Sequence, residues 1–174
     1  MVRWFRPLAI PGLPRVPAAL ALAALRWPWL VPPVVRWRAA SAGMGLLVAR
    51  LTASGEPVGA VLQGIGEEQG RALRAQLGYG RDPLEVAHVV ALANRLYDIR
   101  ARVASASTRE ARVVTPGCPW SREDWWGPQP CGCFSRYEVG LAAGLEPKVT
   151  LRYERKLTRG DDRCVGVYAW REAR

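Results

Sequence analysis

Acidic residues are missing from the start of this chain. None precedes Glu56, whereas seven arginines do: Arg3, Arg6, Arg15, Arg26, Arg36, Arg38 and Arg50. From Glu56 onward 18 basic residues face 15 acidic ones, so most of the formal net charge of +10 belongs to the leader. Such asymmetry favours anionic lipid, nucleic acid or an acidic partner in general terms. The arginines form no recognised reading helix and no aromatic platform, so no specific nucleic-acid partner is expected. Histidine is reduced to His88. Cysteine is sparse: four in 174 residues is not the density of a disulfide-stapled mini-domain. Two disulfides remain arithmetically open, but reduced thiols in a cytoplasmic protein are the expectation. Long apolar runs are also lacking. Val16 to Leu25 is uncharged over ten residues, then Arg26-Trp27-Pro28-Trp29 and Pro32-Pro33 interrupt it. That run is too short to cross a bilayer, and no small-x-small cleavage site follows it. An interfacial segment, with Trp27, Trp29 and Trp37 at the boundary, is one reading of residues 1–40; a packed N-terminal extension is the other.

What is present is a domain. Hydrophobic residues make up 49% of the chain, enough for one core of ordinary size. Residues 41–174 read as a single unit behind the basic, proline- and tryptophan-containing extension of residues 1–40. Residues 43–54 read as a helix ending before Gly55. Val58, Val61, Leu62, Ile65, Leu73 and Leu77 repeat once per turn and predict a second helix over 58–77. Gly64, Gly66 and Gly70 lower its intrinsic propensity, and their use is close approach by another helix. Asp82-Pro83-Leu84-Glu85 opens a third helix, with aspartate as cap and proline in the first turn. Strand patterns follow over 101–108, 110–115, 148–157 and 164–170, with a helical segment from Cys131 to Leu145 between the second and third. The fold class is therefore α+β: N-terminal helices packed on a C-terminal antiparallel sheet, with a helix inserted between strands.

The stretch from Val113 to Trp170 carries all four cysteines and half of the eight tryptophans. Cys118 lies just past a strand end, a position that suits a site and equally a buried thiol. A helix beginning near Cys131 would turn free backbone amides toward that thiol and favour the thiolate. Glu138, Asp124 and His88 are candidates to move protons; within an apolar helix His88 also reads as a structural residue. Cys131-x-Cys133 is too close for neighbouring zinc ligands. A metal or iron–sulfur cluster, if held, would take Cys118, Cys131 and Cys164 before Cys133. Trp120, Trp125, Trp126 and Tyr137 are candidates to line a small-molecule pocket, or simply to close the core. Asp161 and Asp162 are expected to cap the amides of a hairpin turn.

Three segments carry a family resemblance: Val113-Val-Thr-Pro-Gly-Cys-Pro-Trp120, Cys131 leading a helix, and Leu157-Thr-Arg-Gly-Asp-Asp-Arg-Cys164. With them, the region from about Gly43 onward resembles the L-2-amino-thiazoline-4-carboxylic acid hydrolase-like family. It also looks like the wider vinyl-reductase-like small-molecule-binding domains. The resemblance implies helices on an antiparallel sheet, a terminal hairpin contributing to a ligand cavity, and hydrolytic opening of a thiazoline ring. Cys118, Cys131 and Cys164 stand at the matching cysteine positions. Cys133 has no counterpart, and Gly166 stands where similar sequences often place an aromatic residue.

The functional expectation is a hydrolase acting on a cyclic C–N/C–S substrate of thiazoline-carboxylate type. Cys131, Cys118, His88 and Glu138 are its candidate catalytic residues, and Trp120, Trp125, Trp126, Tyr137 and Cys164 its candidate ligand contacts. The alternative is a small-molecule-binding or metal/iron–sulfur sensory domain without turnover. No cofactor is specified by the residues. A small-molecule ligand is the expected partner, with a homo-oligomer and weak membrane association of residues 1–40 left open.

Overall fold

The computed structural model describes residues 7–8, 16–17 and 32–172. Two short strands, β1 (Pro7–Leu8) and β2 (Val16–Pro17), pair antiparallel with each other. The rest of the apolar run from Val16 to Leu25, with Trp27 and Trp29, lies outside the described residues.

Three helices come next. The first, α1, spans Pro33–Ala53, so it begins ten residues before the expected start and crosses the 40/41 boundary. The Pro32-Pro33 pair, read from sequence as an interruption, is the helix start. Pro33 occupies the first turn, where a missing N–H costs nothing and the fixed φ is already helical. Helix α2 spans Val58–Leu77, as the periodicity predicts, and ends on Gly78 at φ 61°. Helix α3 spans Pro83–Arg95. Asp82 Oδ1 accepts the Glu85 N–H at 2.8 Å, and the Glu85 carboxylate accepts the N–H groups of Gly80 and Arg81.

The sheet follows. Strands β3 (Arg102–Ala106) and β4 (Glu110–Thr115) form a hairpin, helix α4 (Pro128–Leu145) intervenes, and β5 (Val149–Arg155) and β6 (Cys164–Trp170) complete the order β3-β4-β6-β5, antiparallel throughout. The expected α+β arrangement is what the chain adopts. Along β4, Ala111, Val113 and Thr115 are buried in alternation, and helices α3 and α4 pack against the sheet. Val86 and Val90 of α3, Leu141 and Leu145 of α4, and Val149, Val167 and Tyr168 of the sheet are almost fully buried there.

The pairing that positions the site is α2 against α4. Gly66 and Gly70 on one helix face Gly140 and Gly144 on the other, each pair one turn apart. A Cβ added at Gly66 would lie 2.7 Å from the Leu141 amide nitrogen, and one at Gly70 would lie 2.9 Å from that of Leu145. Backbones therefore touch without side chains between them. Gly64 has open space around it and takes no part.

Candidate functional site

Helix α4 is the wall on which the site is built. Gly127 precedes it, and Pro128 and Pro130 fill two of its first three positions. Neither proline carries an N–H. The helix therefore starts three residues earlier than Cys131, and its N-terminus offers few free amides. The Cys131 N–H itself is bonded to the Gly127 carbonyl at 3.1 Å. What α4 does supply is a row of side chains, Cys131, Phe134, Ser135 and Glu138, spaced three and four apart on one face.

That row faces a cavity of about 60 Å³ between α4, the β5–β6 hairpin, the end of α3 and the loop after β4. The short 3-10 turn Leu157–Arg159 closes one side through Leu157 and Thr158. Ile99, Trp120, Trp126, Phe134 and Leu157 line it with apolar surface, and the thiols Cys118, Cys131 and Cys164 lie among them. Trp120 is nearly inaccessible, its ring 4.7 Å from Trp126 and 4.9 Å from Phe134 centroid to centroid.

The polar lining forms one connected patch. Asn94 Nδ2 donates to Glu138 Oε1 at 2.7 Å, and the Tyr153 hydroxyl donates to Glu138 Oε2. Lys156 Nζ donates to Ser135 Oγ at 2.8 Å and lies 4.4 Å from the centre of the Tyr153 ring. The Ser135 hydroxyl in turn donates a hydrogen bond to the Cys131 carbonyl at 2.8 Å. Gly166 makes this possible from beneath: it is paired in register with Tyr153, and a Cβ there would press on Leu151 and approach the Tyr153 ring. An aromatic residue at that position would compete with Tyr153 for the same space.

Burial sets the protonation of the site. It pushes the Glu138 carboxyl up to about 7, although the Asn94 hydrogen bond and the Lys156 charge pull the other way. It pushes the Cys118 thiol up to about 12, against hydrogen bonds from the backbone at Trp120 and Ser121. The Cys164 thiol is also raised by burial, with partial relief from the Leu157 N–H at 3.3 Å from its sulfur. Thr158 Oγ1 is buried and has no protein partner.

Of the residues singled out from sequence, Cys118, Cys131, Cys164, Glu138, Trp120 and Trp126 line this one cavity. Four others lie elsewhere. His88 is exposed on α3, 3.4 Å from the Tyr79 hydroxyl, because the buried face of that helix is taken by Val86, Val89 and Val90. Tyr137 turns toward α2, where its hydroxyl donates to Gln69 Oε1 at 2.7 Å. Trp125 stands edge-on to Trp126 outside the lining, and Asp124 is exposed. The thiols do not close into a ligand set: among the described residues no three His, Cys, Asp or Glu side chains are arranged to hold a metal ion. All four cysteines are free. Asn94, Tyr153 and Lys156 were missed from sequence. Lys156 carried the one available signal, as one of two lysines among 23 arginines.

Asp161 caps the hairpin as expected, its carboxylate accepting the Lys156 N–H at 2.7 Å. Asp162 instead pairs with the Arg163 and Arg155 guanidinium groups in solvent.

No protein-family model matches the chain, and no curated protein sequence does. Among the described residues no helix is long and apolar enough to cross a membrane. Several solved structures are similar, the following two among them. One is trafficking protein particle complex subunit 3 from Naegleria fowleri, covalently bound to palmitic acid: TM-score 0.50, 21% identity, over 74% of this chain and 95% of that one. The other is the phenol-responsive sensory domain of the transcription activator PoxR, with phenol: TM-score 0.55, 13% identity, over 75% of this chain and 74% of that one. At these identities the likeness is one of fold: helices on a four-stranded antiparallel sheet, with a helix inserted between the strands.

Proposed function

We propose that this chain is a small-molecule-binding domain whose ligand seats between α4 and the β5–β6 hairpin. The observation that carries the reading is the state of Lys156. Its ammonium is buried and carries three donors, yet it meets only Ser135 Oγ and the face of the Tyr153 ring, and it forms no salt bridge among the described residues. A buried cation without a bonded anion is costly, and a ligand oxyanion beside it removes that cost. The unpartnered Thr158 hydroxyl adds a second polar contact. Around them the cavity is apolar and sulfur-bearing, so the favoured ligand has an apolar body and a small anionic head. On the scale where a water needs about 10–15 Å³, a cavity of this size admits a compact molecule. The thiazoline carboxylates implied by the family resemblance fall in that class. Palmitic acid and phenol, named with two of the similar structures, each combine an apolar body with an oxygen-bearing head.

Titration calorimetry of the full chain against thiazoline and aromatic carboxylates, each beside its neutral amide, tests the reading. Carboxylates should bind roughly tenfold or more tightly than amides, and Lys156→Met should abolish the difference. Equal affinity for both series in the wild-type protein overturns the role of Lys156. Binding by neither overturns the ligand class.

A second reading, hydrolysis of the bound ring, is favoured by one observation: Glu138 is poised near neutrality in the same cavity as Cys131. In that case Glu138 takes a proton from water as its oxygen attacks the ring carbon, the carbon–nitrogen or carbon–sulfur bond of the ring breaks, and the Glu138 carboxyl returns that proton to the departing nitrogen or sulfur. Mass spectrometry of the calorimetry mixtures decides it. Ring-opened product that disappears in Glu138→Gln supports turnover, and unchanged ligand refutes it.

A further inference from the structure

Helix α1 has two apolar faces and uses one. Ser41, Ala42, Gly45, Val48, Ala49 and Thr52 are buried against the domain. Flanking that face, Trp37, Met44, Leu47 and Leu51 recur at intervals of seven, three and four, and all are exposed, Trp37 by 55% and Leu47 by 52%. A surface helix ordinarily gives its outer face to charged and polar side chains. The charges α1 does carry are of one sign. Arg36, Arg38 and Arg50 are its only ionic residues, and no acidic residue occurs anywhere before Glu56. Arg38 pairs with Asp98 at 3.2 Å, whereas Arg36 and Arg50 are exposed and form no ion pair among the described residues.

The charge pattern selects the occupant of this face. A second copy packed on it about a two-fold axis would place arginine beside arginine with no carboxylate on either helix. A surface that is anionic outside and apolar just beneath satisfies both features at once. We propose that α1 lies flat on an anionic lipid bilayer, with Trp37, Met44, Leu47 and Leu51 entering the acyl boundary and Arg36 and Arg50 at the phosphates. The arginine side chains are long enough to reach headgroups while their stems cover apolar surface. The preceding sequence has the same character, with Arg3, Arg6, Arg15 and Arg26 and the uncharged run from Val16 to Leu25.

Co-sedimentation of the full chain with vesicles tests this, using pure phosphatidylcholine and a mixture of three parts phosphatidylcholine to one of phosphatidylserine. The protein should pellet with the mixture, roughly tenfold less with the neutral lipid, and less as NaCl rises from about 0.1 to 0.5 M. Trp37→Glu combined with Leu47→Glu should keep the circular dichroism spectrum and lower pelleting at least roughly tenfold. Arg36→Gln combined with Arg50→Gln, which disturbs no packing, should weaken binding to the anionic vesicles only. Pelleting unaffected by both pairs would assign the binding to the residues before α1 and overturn the proposal. So would equal pelleting with neutral lipid, or none with either. Sedimentation velocity showing a dimer that Leu47→Glu dissociates would give the face to a second copy instead.

Discussion

Asn94 Nδ2 donates to Glu138 Oε1 at 2.7 Å, joining the end of α3 to the middle of α4 through the apolar interior. Both residues are buried. The Tyr153 hydroxyl holds the second carboxyl oxygen. One side chain on α4 therefore ties together α3 and β5, and any charge it carries is felt inside the cavity. Tyr168 and Cys164 on β6 and Tyr137 beside Glu138 on α4 all sense that charge.

The first prediction concerns pH. Glu138 titrates near 7 in the fold against an ordinary value of 4.5. Between those values the folded protein holds a proton that the unfolded chain has released. Stability from this group is thus complete below about 4.5, falls as pH rises toward 7, and levels off above it. The gap corresponds to about 3 kcal/mol. Glu154 and Asp162, whose carboxyls are lowered by exposed arginines, titrate below this window. In urea unfolding, Glu138→Gln should remove the slope between pH 5 and 7 and be more stable than wild type at pH 8. A variant that keeps the wild-type slope would show that the burial of Glu138 is not its source.

The second concerns the glycine contact between α2 and α4. A methyl group at Gly140 would sit 2.9 Å from the Gln63 carbonyl carbon, and one at Gly144 would sit 2.9 Å from that of Glu67. Neither neighbour is a side chain that can swing aside. Gly140→Ala and Gly144→Ala should each cost about 1–3 kcal/mol or more by forcing the helices apart. Gly64→Ala, in open space on the same helix as Gly66, should stabilise by roughly 0.5–1 kcal/mol through higher helix propensity. Thermal melts of the three variants check the opposite signs.

Those same glycines mark the limit of reading structure from sequence. The spacing of Val58, Val61, Leu62, Ile65, Leu73 and Leu77 marks α2 as a helix, although Val61, Ile65 and Leu77 are exposed, and Asp82, Pro83 and Glu85 define the start of α3, because those signals are local. Close helix approach at Gly66 and Gly70 was also readable, but the partners Gly140 and Gly144 were not, since nothing local links two helices so far apart in the chain. The start of α1 lies ten residues before the sequence expectation because Pro33 breaks a helix from inside and begins one from outside. The cavity was legible through its cysteines and tryptophans, which stand out by residue type. Asn94 and Tyr153 look like ordinary amphipathic positions until α4 brings Glu138 between them. His88 shows the converse: a chemically distinctive residue whose helix turns it to solvent.

The third prediction separates the cysteines. With its thiol pushed up to about 12, Cys118 is thiolate at only about one part in 10⁵ at pH 7. Iodoacetamide at neutral pH should leave the peptide containing Cys118 unlabelled in the native protein and label it fully once urea is added. Cys118→Ser should likewise leave the native rate of thiol modification unchanged. Rapid native labelling of Cys118, read by peptide mass spectrometry, would mean that the loop after β4 opens and that the sulfur wall of the cavity is not closed.

Asp161 and Asp162 provide the last prediction, since adjacent residues of the same type do different work. Asp161 accepts the Lys156 N–H at 2.7 Å across the 3-10 turn, fixing the backbone from which the Lys156 side chain enters the cavity. Gly160, at φ 90°, lets the chain reverse between them. Asp162 makes only exposed contacts with Arg155 and Arg163, which are screened by solvent and contribute little. Asp161→Ala should therefore cost about 1–2 kcal/mol in chemical denaturation and weaken carboxylate ligands, because it frees the segment that presents the ammonium. Asp162→Ala should stay within about 0.5 kcal/mol and leave ligand affinity unchanged. Equal effects from the two substitutions would mean that the turn is held by charge, and not by the single capped amide, so that Lys156 owes its position to something other than Asp161.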